Sequence, residues 1–202
     1  ADKLRINPGN ISRPEHIELV AHCARMHKVP IRVGANSGSL EKELLSRYGV
    51  GPKSVCASVE KNVRLLEKQG FDNIVLSAKC SDVRMMTACY EMLSKQFNYP
   101  LHLGVTEAGG YEAGTVKSAV GIGALLLKGI GDTIRVSLTG NPIKEVSVAR
   151  SILMSLGLLK EGIEIISCPT CGRTRVNVEG MVNEVMERTK DIKTPITVAV
   201  MG

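Results

Sequence analysis

Five times in succession a short run rich in β-branched and aliphatic residues gives way to a longer amphipathic stretch, and this alternation constrains the fold more than any other property of the chain. The short runs cover residues 4–8, 31–35, 73–79, 101–107 and 133–138. The amphipathic stretches cover 14–27, 40–48 together with 54–68, 81–97, 114–128 and 142–156. Period-two runs joined by period-3.6 segments are βα units, and crossovers of this length connect parallel strands, which a two-residue hairpin cannot do. Two helix starts are marked: Ser39 ahead of Glu41 and Glu43, and Asn141 ahead of Pro142, where the missing proline N–H costs nothing. The expected class is α/β.

Five parallel strands belong either to an open doubly wound sheet or to part of an eight-stranded (β/α) barrel of the TIM type, and the polar residues help to choose. Every strand run carries polar groups toward its end. Alternation puts Arg5 with Asn7 on one face, Ser77 with Lys79, and Arg135 with Ser137; Arg32 lies in the second run with Asn36 just beyond it, and Glu107 follows Leu103 and Val105. In an open sheet such groups gather at one crevice, whereas in a barrel nearly every strand end reaches the same mouth. A partial barrel is the expected architecture.

Gathered at one mouth, Arg5, Arg32, Lys79 and Arg135 would place several cations where even one unpaired buried charge costs several kcal/mol, so an anion is expected among them. The guanidinium fork suits pairs of phosphate oxygens, Asn7, Asn36 and Ser137 add neutral hydrogen bonds, and Glu107 can orient a cation or hold a hydroxyl. A diphosphate fits this inventory. Strand-end charges paired with helix carboxylates are the structural alternative.

A second site is expected at Cys168-Pro169-Thr170-Cys171, which follows the strand-like run 163–167. Two sulfur ligands on a tight turn fit half of an iron–sulfur or zinc site, and each of these ordinarily takes four protein ligands. A dithiol redox pair and an unliganded turn are the alternatives; the redox pair needs a helix starting at the second cysteine, and Gly172, Thr174 and Val176 disfavour one. The chain begins in a strand-like run and stops at an apolar run, 196–202, so further ligands are expected beyond it. Cys23, Cys56 and Cys89 read as buried small hydrophobes, and Cys80, at a strand end, as less certain. His16, His22 and His27 read as surface or satisfied residues, without mutual metal-ligand spacing; His102 opens a strand and is ambiguous. Neither Gly121-Ile122-Gly123 nor Gly129-Ile130-Gly131 sits in the strand-to-helix order of a dinucleotide fingerprint.

Composition excludes several classes. The net charge is +6, but the chain has no Trp, 3% aromatic residues and no block of consecutive cations, so no nucleic-acid partner is expected. No apolar run approaches the roughly 20 residues that span a bilayer, so no membrane partner is expected either. Six scattered cysteines in 202 residues do not form a secreted disulfide framework, and a reducing, cytoplasmic compartment is expected.

Five blocks, LRINPGNI (4–11), IRVGANSGSLEKELL (31–45), LHLGVTEAGG (101–110), GIGDTIRVSL (129–138) and CPTCGR (168–173), occur in order across essentially the whole chain. Together they resemble the 4-hydroxy-3-methylbut-2-en-1-yl diphosphate synthases, the iron–sulfur enzymes of the methylerythritol phosphate route to isoprenoids. The resemblance implies a (β/α)8 barrel that binds substrate, here residues 1–158 with the fourth to eighth strands, and a smaller α/β domain, here 159–202, that begins a [4Fe-4S] site. It implies reductive ring opening of 2-C-methyl-D-erythritol 2,4-cyclodiphosphate with electrons from ferredoxin or flavodoxin, in a head-to-tail homodimer where one subunit's cluster caps the other's barrel. Arg5, Asn7, Arg32, Asn36, Lys79, Arg135 and Ser137 then become substrate ligands, Glu107 the barrel acid, and Cys168 and Cys171 cluster ligands. The other two cluster ligands, a cysteine and a glutamate, would lie past Gly202, and three strands would precede Leu4; the 202 residues alone are expected to be inactive. A non-catalytic phosphate-binding βα module and a zinc-stabilised interaction domain are the alternatives from other functional classes.

Overall fold

A computed structural model describes residues 1–8, 11 and 13–202. Gly9 and Asn10 of the LRINPGNI block lie outside the described residues. The chain divides into two compact units, Ala1–Ile152 and Leu153–Gly202.

The first unit is built on β1 (Leu4–Ile6), α1 (Pro14–Met26), β2 (Ile31–Asn36), α2 (Lys42–Tyr48), α3 (Pro52–Lys68), β3 (Ile74–Lys79), α4 (Val83–Gln96), β4 (His102–Leu103), α5 (Tyr111–Leu126), β5 (Thr133–Ile134) and α6 (Ile143–Ser155), whose end runs into the second unit. β1, β2 and β3 pair in parallel, β4 pairs in parallel with β5, and a parallel bridge from Leu76 to Leu101 joins the two sets. The strands therefore follow one another in space as they do in sequence, which is the order that successive right-handed βα crossovers produce. Leu4, Ile6, Ile31, Val33, Ala35, Leu76, Leu101, Leu103 and Val105 belong to the face covered by helices, and all but Leu4 are buried. Ile17, Val55, Val59, Leu66, Met86, Leu93, Ile122 and Leu125 fill the layer from the helix side.

Strand lengths depart from the sequence expectation. The 101–107 and 133–138 runs are paired strand only over His102–Leu103 and Thr133–Ile134, although Arg135 N still donates to Leu103 O at 2.9 Å. Ser39 does not start a helix. It closes a 3-10 turn (Ser37–Ser39), where its hydroxyl accepts from Asn7 Nδ2 at 3.2 Å, and α2 begins three residues later without a side-chain cap. Asn141 does cap α6, its Oδ1 accepting from Ile143 N at 3.0 Å. Cys56, Cys80 and Cys89 are buried, with the Cys56 thiol donating to Cys89 O at 3.5 Å, whereas Cys23 is exposed on α1. The apolar period that suggested burial for Cys23 is satisfied by Ile17, Ala21 and Ala24, one face over. His16, His22 and His27 are exposed.

Tyr90 of α4 is fully buried, and its hydroxyl donates to His102 O at 2.6 Å, fastening β4 to the helix layer. Phenylalanine there keeps the packing but strips a carbonyl of its partner, which costs about 1–2 kcal/mol. Urea unfolding of Tyr90→Phe is expected to show that loss with an unchanged m-value.

The second unit is a βαβ crossover of β6 (Ile163–Ser167), α7 (Val178–Thr189) and β7 (Ile196–Val200), with β6 and β7 parallel from Ile163 opposite Ile196 to Ser167 opposite Val200. Asn177 caps α7 by accepting from Gly180 N at 2.9 Å. Among the described residues no helix is long and apolar enough to cross a membrane.

Candidate functional site

The register of the first unit puts unlike functions on its two faces. Arg5 stands opposite Arg32, Gly34 opposite Ser77 and Asn36 opposite Lys79, so the polar members of each strand share the face turned away from the helices. Two arginines opposite each other on neighbouring strands repel, and only a counter-charge makes the arrangement favourable.

The side chains lean the same way. Arg32 Nη1 donates to Ser77 Oγ at 2.9 Å, Arg5 Nη2 to Gly34 O at 3.3 Å, and Arg135 Nη2 to Ser137 Oγ. By register each acceptor lies two residues nearer the C-terminal ends of the strands than the arginine that uses it. The three guanidiniums thus reach toward the strand ends, where Lys79 closes β3. Lys79 ends the middle strand of the five, and Arg5 from β1 and Arg135 from β5 both act on it from either side, each two strands away.

Lys79 carries the clearest electrostatic signature of the site. It is 3% exposed, and its Nζ has no hydrogen-bond partner among the described residues. Burial, followed by repulsion from Arg135, Arg32 and Arg5, pulls its pKa down from 10.5 to about 7. Arg32 is shifted downward as well, by burial and then by Arg5 and Arg135. His102, whose Nδ1 lies 2.8 Å from Thr133 Oγ1, is pushed down to about 3 by burial and then by Lys79, Arg32, Lys3 and Arg135, so it is neutral at physiological pH. The sequence left His102 ambiguous; its place on this face shows only once β4 is in register.

Two glycines, not singled out in the sequence, make room for these cations. A Cβ on Gly34 would lie 2.7 Å from Ser77 Oγ and 3.2 Å from Arg5 Nε, and one on Gly104 would lie 2.6 Å from Arg135 O and 3.4 Å from Lys79 Nζ. A side chain at either position would occupy the space the charged groups now use.

Beyond the strand ends a cavity of about 430 Å³ is lined by Asn36, Ser37, Ser81, Asp82, Thr106 and Glu107 among others. Asn36 and Glu107 therefore meet in one cavity. Glu107 adopts a left-handed backbone, φ 53°, a conformation costing a non-glycine residue about 1–2 kcal/mol that concentrates at functional sites. Asn7 donates to Ser39 across the neighbouring loop.

In the second unit, Cys168 follows β6 directly, its N–H extending the ladder to Val200 O at 3.1 Å. Cys171 is exposed; its N–H donates to Thr174 Oγ1 at 3.1 Å, and the Thr174 hydroxyl points at its sulfur from 3.9 Å. Hydrogen bonds from the Arg173 backbone, then from the Thr174 and Arg173 side chains, lower its pKa and favour the thiolate that ligates metals. The helix a thioredoxin-like pair needs at the second cysteine is absent; α7 starts only at Val178. Among the described residues no group of three or more His, Cys, Asp or Glu side chains is placed to hold a metal.

Residues 1–150 match the family described as GcpE TIM-barrel domain, and residues 164–202 match the GcpE protein C-terminal domain. The chain belongs to the GcpE family. Its parallel βα units are those of the GcpE TIM-type barrel, and the β6–α7–β7 unit, from Glu164 on, lies in the GcpE C-terminal domain. Proteins named 4-hydroxy-3-methylbut-2-en-1-yl diphosphate synthase (flavodoxin) are similar along its length: that of Caldanaerobacter subterraneus subsp. tengcongensis is 59% identical over all of this chain and 57% of its own. The Clostridium acetobutylicum protein is 54% identical over 98% of this chain and 57% of its own, and the Fusobacterium nucleatum protein 53% identical over 100% and 57%. This GcpE chain spans a little over half the length of the curated relatives it matches.

Proposed function

We propose that the protein carrying this chain reduces 2-C-methyl-D-erythritol 2,4-cyclodiphosphate to 4-hydroxy-3-methylbut-2-en-1-yl diphosphate in isoprenoid biosynthesis. The reaction consumes two electrons and two protons, opens the ring at a carbon–oxygen bond and releases water. Residues 1–158 form the substrate-binding part and 159–202 the start of the cluster-bearing part. The observation that carries this reading is the one strand face that Arg5, Arg32, Lys79 and Arg135 share, where each arginine acts on the buried Lys79. It is a ready counter-charge for two phosphates, and relatives of the same family are named for making a diphosphate.

In this reading the arginines and Lys79 hold the diphosphate and stabilise the charge left on the phosphate oxygen as the ring opens. Asn7, Asn36 and Ser137 orient it through neutral hydrogen bonds, and Glu107, at the strand-end cavity, addresses a substrate hydroxyl and its proton. Cys168 and Cys171 fit two corners of a [4Fe-4S] cluster: they stand on one turn, they are accessible, and Cys171 is biased toward thiolate. When bound, that cluster supplies the two electrons one at a time, drawn from flavodoxin, which the relatives' names carry, or from ferredoxin. The enzyme works as a cytoplasmic homodimer.

The test is turnover of the cyclodiphosphate by the full-length protein, reconstituted with iron and sulfide under anaerobic conditions and supplied with reduced flavodoxin. Cys168→Ser and Cys171→Ser are expected to lose both the cluster's visible absorbance and activity. Arg32→Ala is expected to keep the absorbance and lose about 100-fold in kcat/KM, the value of one charge-assisted contact set. No product from a fully reconstituted wild-type protein would sink the reading.

A further inference from the structure

The anion site contains one group whose charge is not fixed. Guanidiniums do not lose their proton in proteins, so Arg5, Arg32 and Arg135 are cationic whether the site is empty or filled. Lys79 differs. It ends β3 at 3% exposure, its Nζ is without a hydrogen-bond partner among the described residues, and Gly104 leaves its amine a slot rather than a counter-ion. The groups facing it are Arg5 from β1, Arg32 from β2, Arg135 from β5 and neutral His102 from β4, with Ser77 two residues earlier on its own strand. None of these is a carboxylate. Buried lysines are normally paired, and one surrounded by three guanidiniums has every reason to shed its proton until an anion arrives.

Resting on the phosphate-site reading above, we propose that Lys79 is the proton acceptor of the anion site: in mildly alkaline solution its amine is largely neutral while the site is empty and takes up close to one proton when a phosphate-class dianion enters. The dianion reverses the local field, because the nearest charge to the amine becomes negative. At pH 8 the filled site thus holds four cations and the empty site little more than three. Proton uptake and anion affinity are then linked, and affinity falls as pH rises. With the empty-site pKa near 7, the fall is about tenfold per pH unit from that point up to the pKa of the filled site.

Calorimetric titration of the full-length protein with inorganic sulfate, which remains a dianion throughout the range, reads the proton count directly. At pH 8 the heats in Hepes and in Tris are expected to differ by close to one proton taken up per sulfate bound. Lys79→Arg, cationic in both states, is expected to bind sulfate with no uptake and an affinity that no longer falls tenfold per pH unit. Lys79→Met is expected to bind more weakly, also without uptake. Sulfate binding to the wild type with no proton uptake, or uptake that persists in Lys79→Arg, overturns the assignment and leaves the phosphate site standing. Absence of sulfate binding to the wild type overturns both.

Discussion

Lys79→Met is expected to make the ligand-free protein more stable by roughly 3–5 kcal/mol at pH 7 while lowering its affinity for phosphate-class anions at least tenfold. The first half follows from linkage. A lysine with a folded pKa of about 7 and an unfolded value of 10.5 binds fewer protons folded than unfolded between those limits. Stability therefore rises with pH across the window, and the full cost of burying the amine is felt at and below its lower edge. Methionine has similar length, fills the same slot and carries no charge to desolvate. The gap between variant and wild type is largest at and below pH 7, narrows to about 1–2 kcal/mol by pH 9.5 and closes above 10.5, because by then the unfolded lysine is neutral as well. Urea unfolding of both proteins at pH 7 and 9.5 measures it. A wild type that is the more stable at pH 7, or a gap that widens with pH, contradicts the electrostatic account of the site.

That a residue should weaken the fold and remain in its centre is the usual mark of a binding site assembled ahead of its ligand. Arg5 opposite Arg32 adds to the same debt, as does the left-handed backbone at Glu107. These charged terms cluster toward the strand ends of one face, while the opposite face, from Ile31 and Val33 to Leu103, is apolar and, Leu4 apart, buried. The unpartnered Lys79 and the facing arginines lie on the surface whose charge an anion would relieve.

Much of this division was legible before any coordinates. Alternation within each run assigned Arg5, Arg32, Lys79 and Arg135 to the same kind of face, and the crossover lengths made the strands parallel. Hidden from the sequence were the relations between strands. Gly34 and Gly104 read as ordinary small residues until register sets one beside Ser77 and Arg5 and the other beside Arg135 and Lys79. Lys79 is recognisable as a strand-end cation but not as one without a partner. The pairings of His102 with Thr133 and of Asn7 with Ser39 were illegible for the same reason: contacts between positions about 30 residues apart are set by packing of the whole sheet, not by local pattern. Cys23 failed differently, because three of every seven helical positions suffice to cover the core and the period alone does not say which apolar residue is left over.

The two glycines should respond unequally to the same added methyl group. At Gly34 the new Cβ meets Ser77 Oγ at 2.7 Å and Arg5 Nε at 3.2 Å, both in side chains that can rotate. Gly34→Ala is therefore expected to cost about 1 kcal/mol in stability, and to disturb chiefly the Arg32–Ser77 and Arg5–Gly34 contacts that aim the guanidiniums. At Gly104 the obstacle is Arg135 O at 2.6 Å, a backbone atom of the neighbouring strand, with Lys79 Nζ 3.4 Å away. It can give way only if β5 moves from β4 or the chain beyond Leu103 bends, breaking the Arg135 N to Leu103 O bond that extends the ladder. Gly104→Ala is expected to cost about 2–3 kcal/mol and, by displacing Arg135 and Lys79 together, to lower anion affinity more than tenfold. Thermal unfolding and sulfate titration of the two full-length variants side by side decide the matter. Equal losses would mean that the close approach of β5 to Gly104 does not hold the cations in place, whereas the larger loss at Gly104 ties the geometry of the anion site to a single missing side chain on β4's extension.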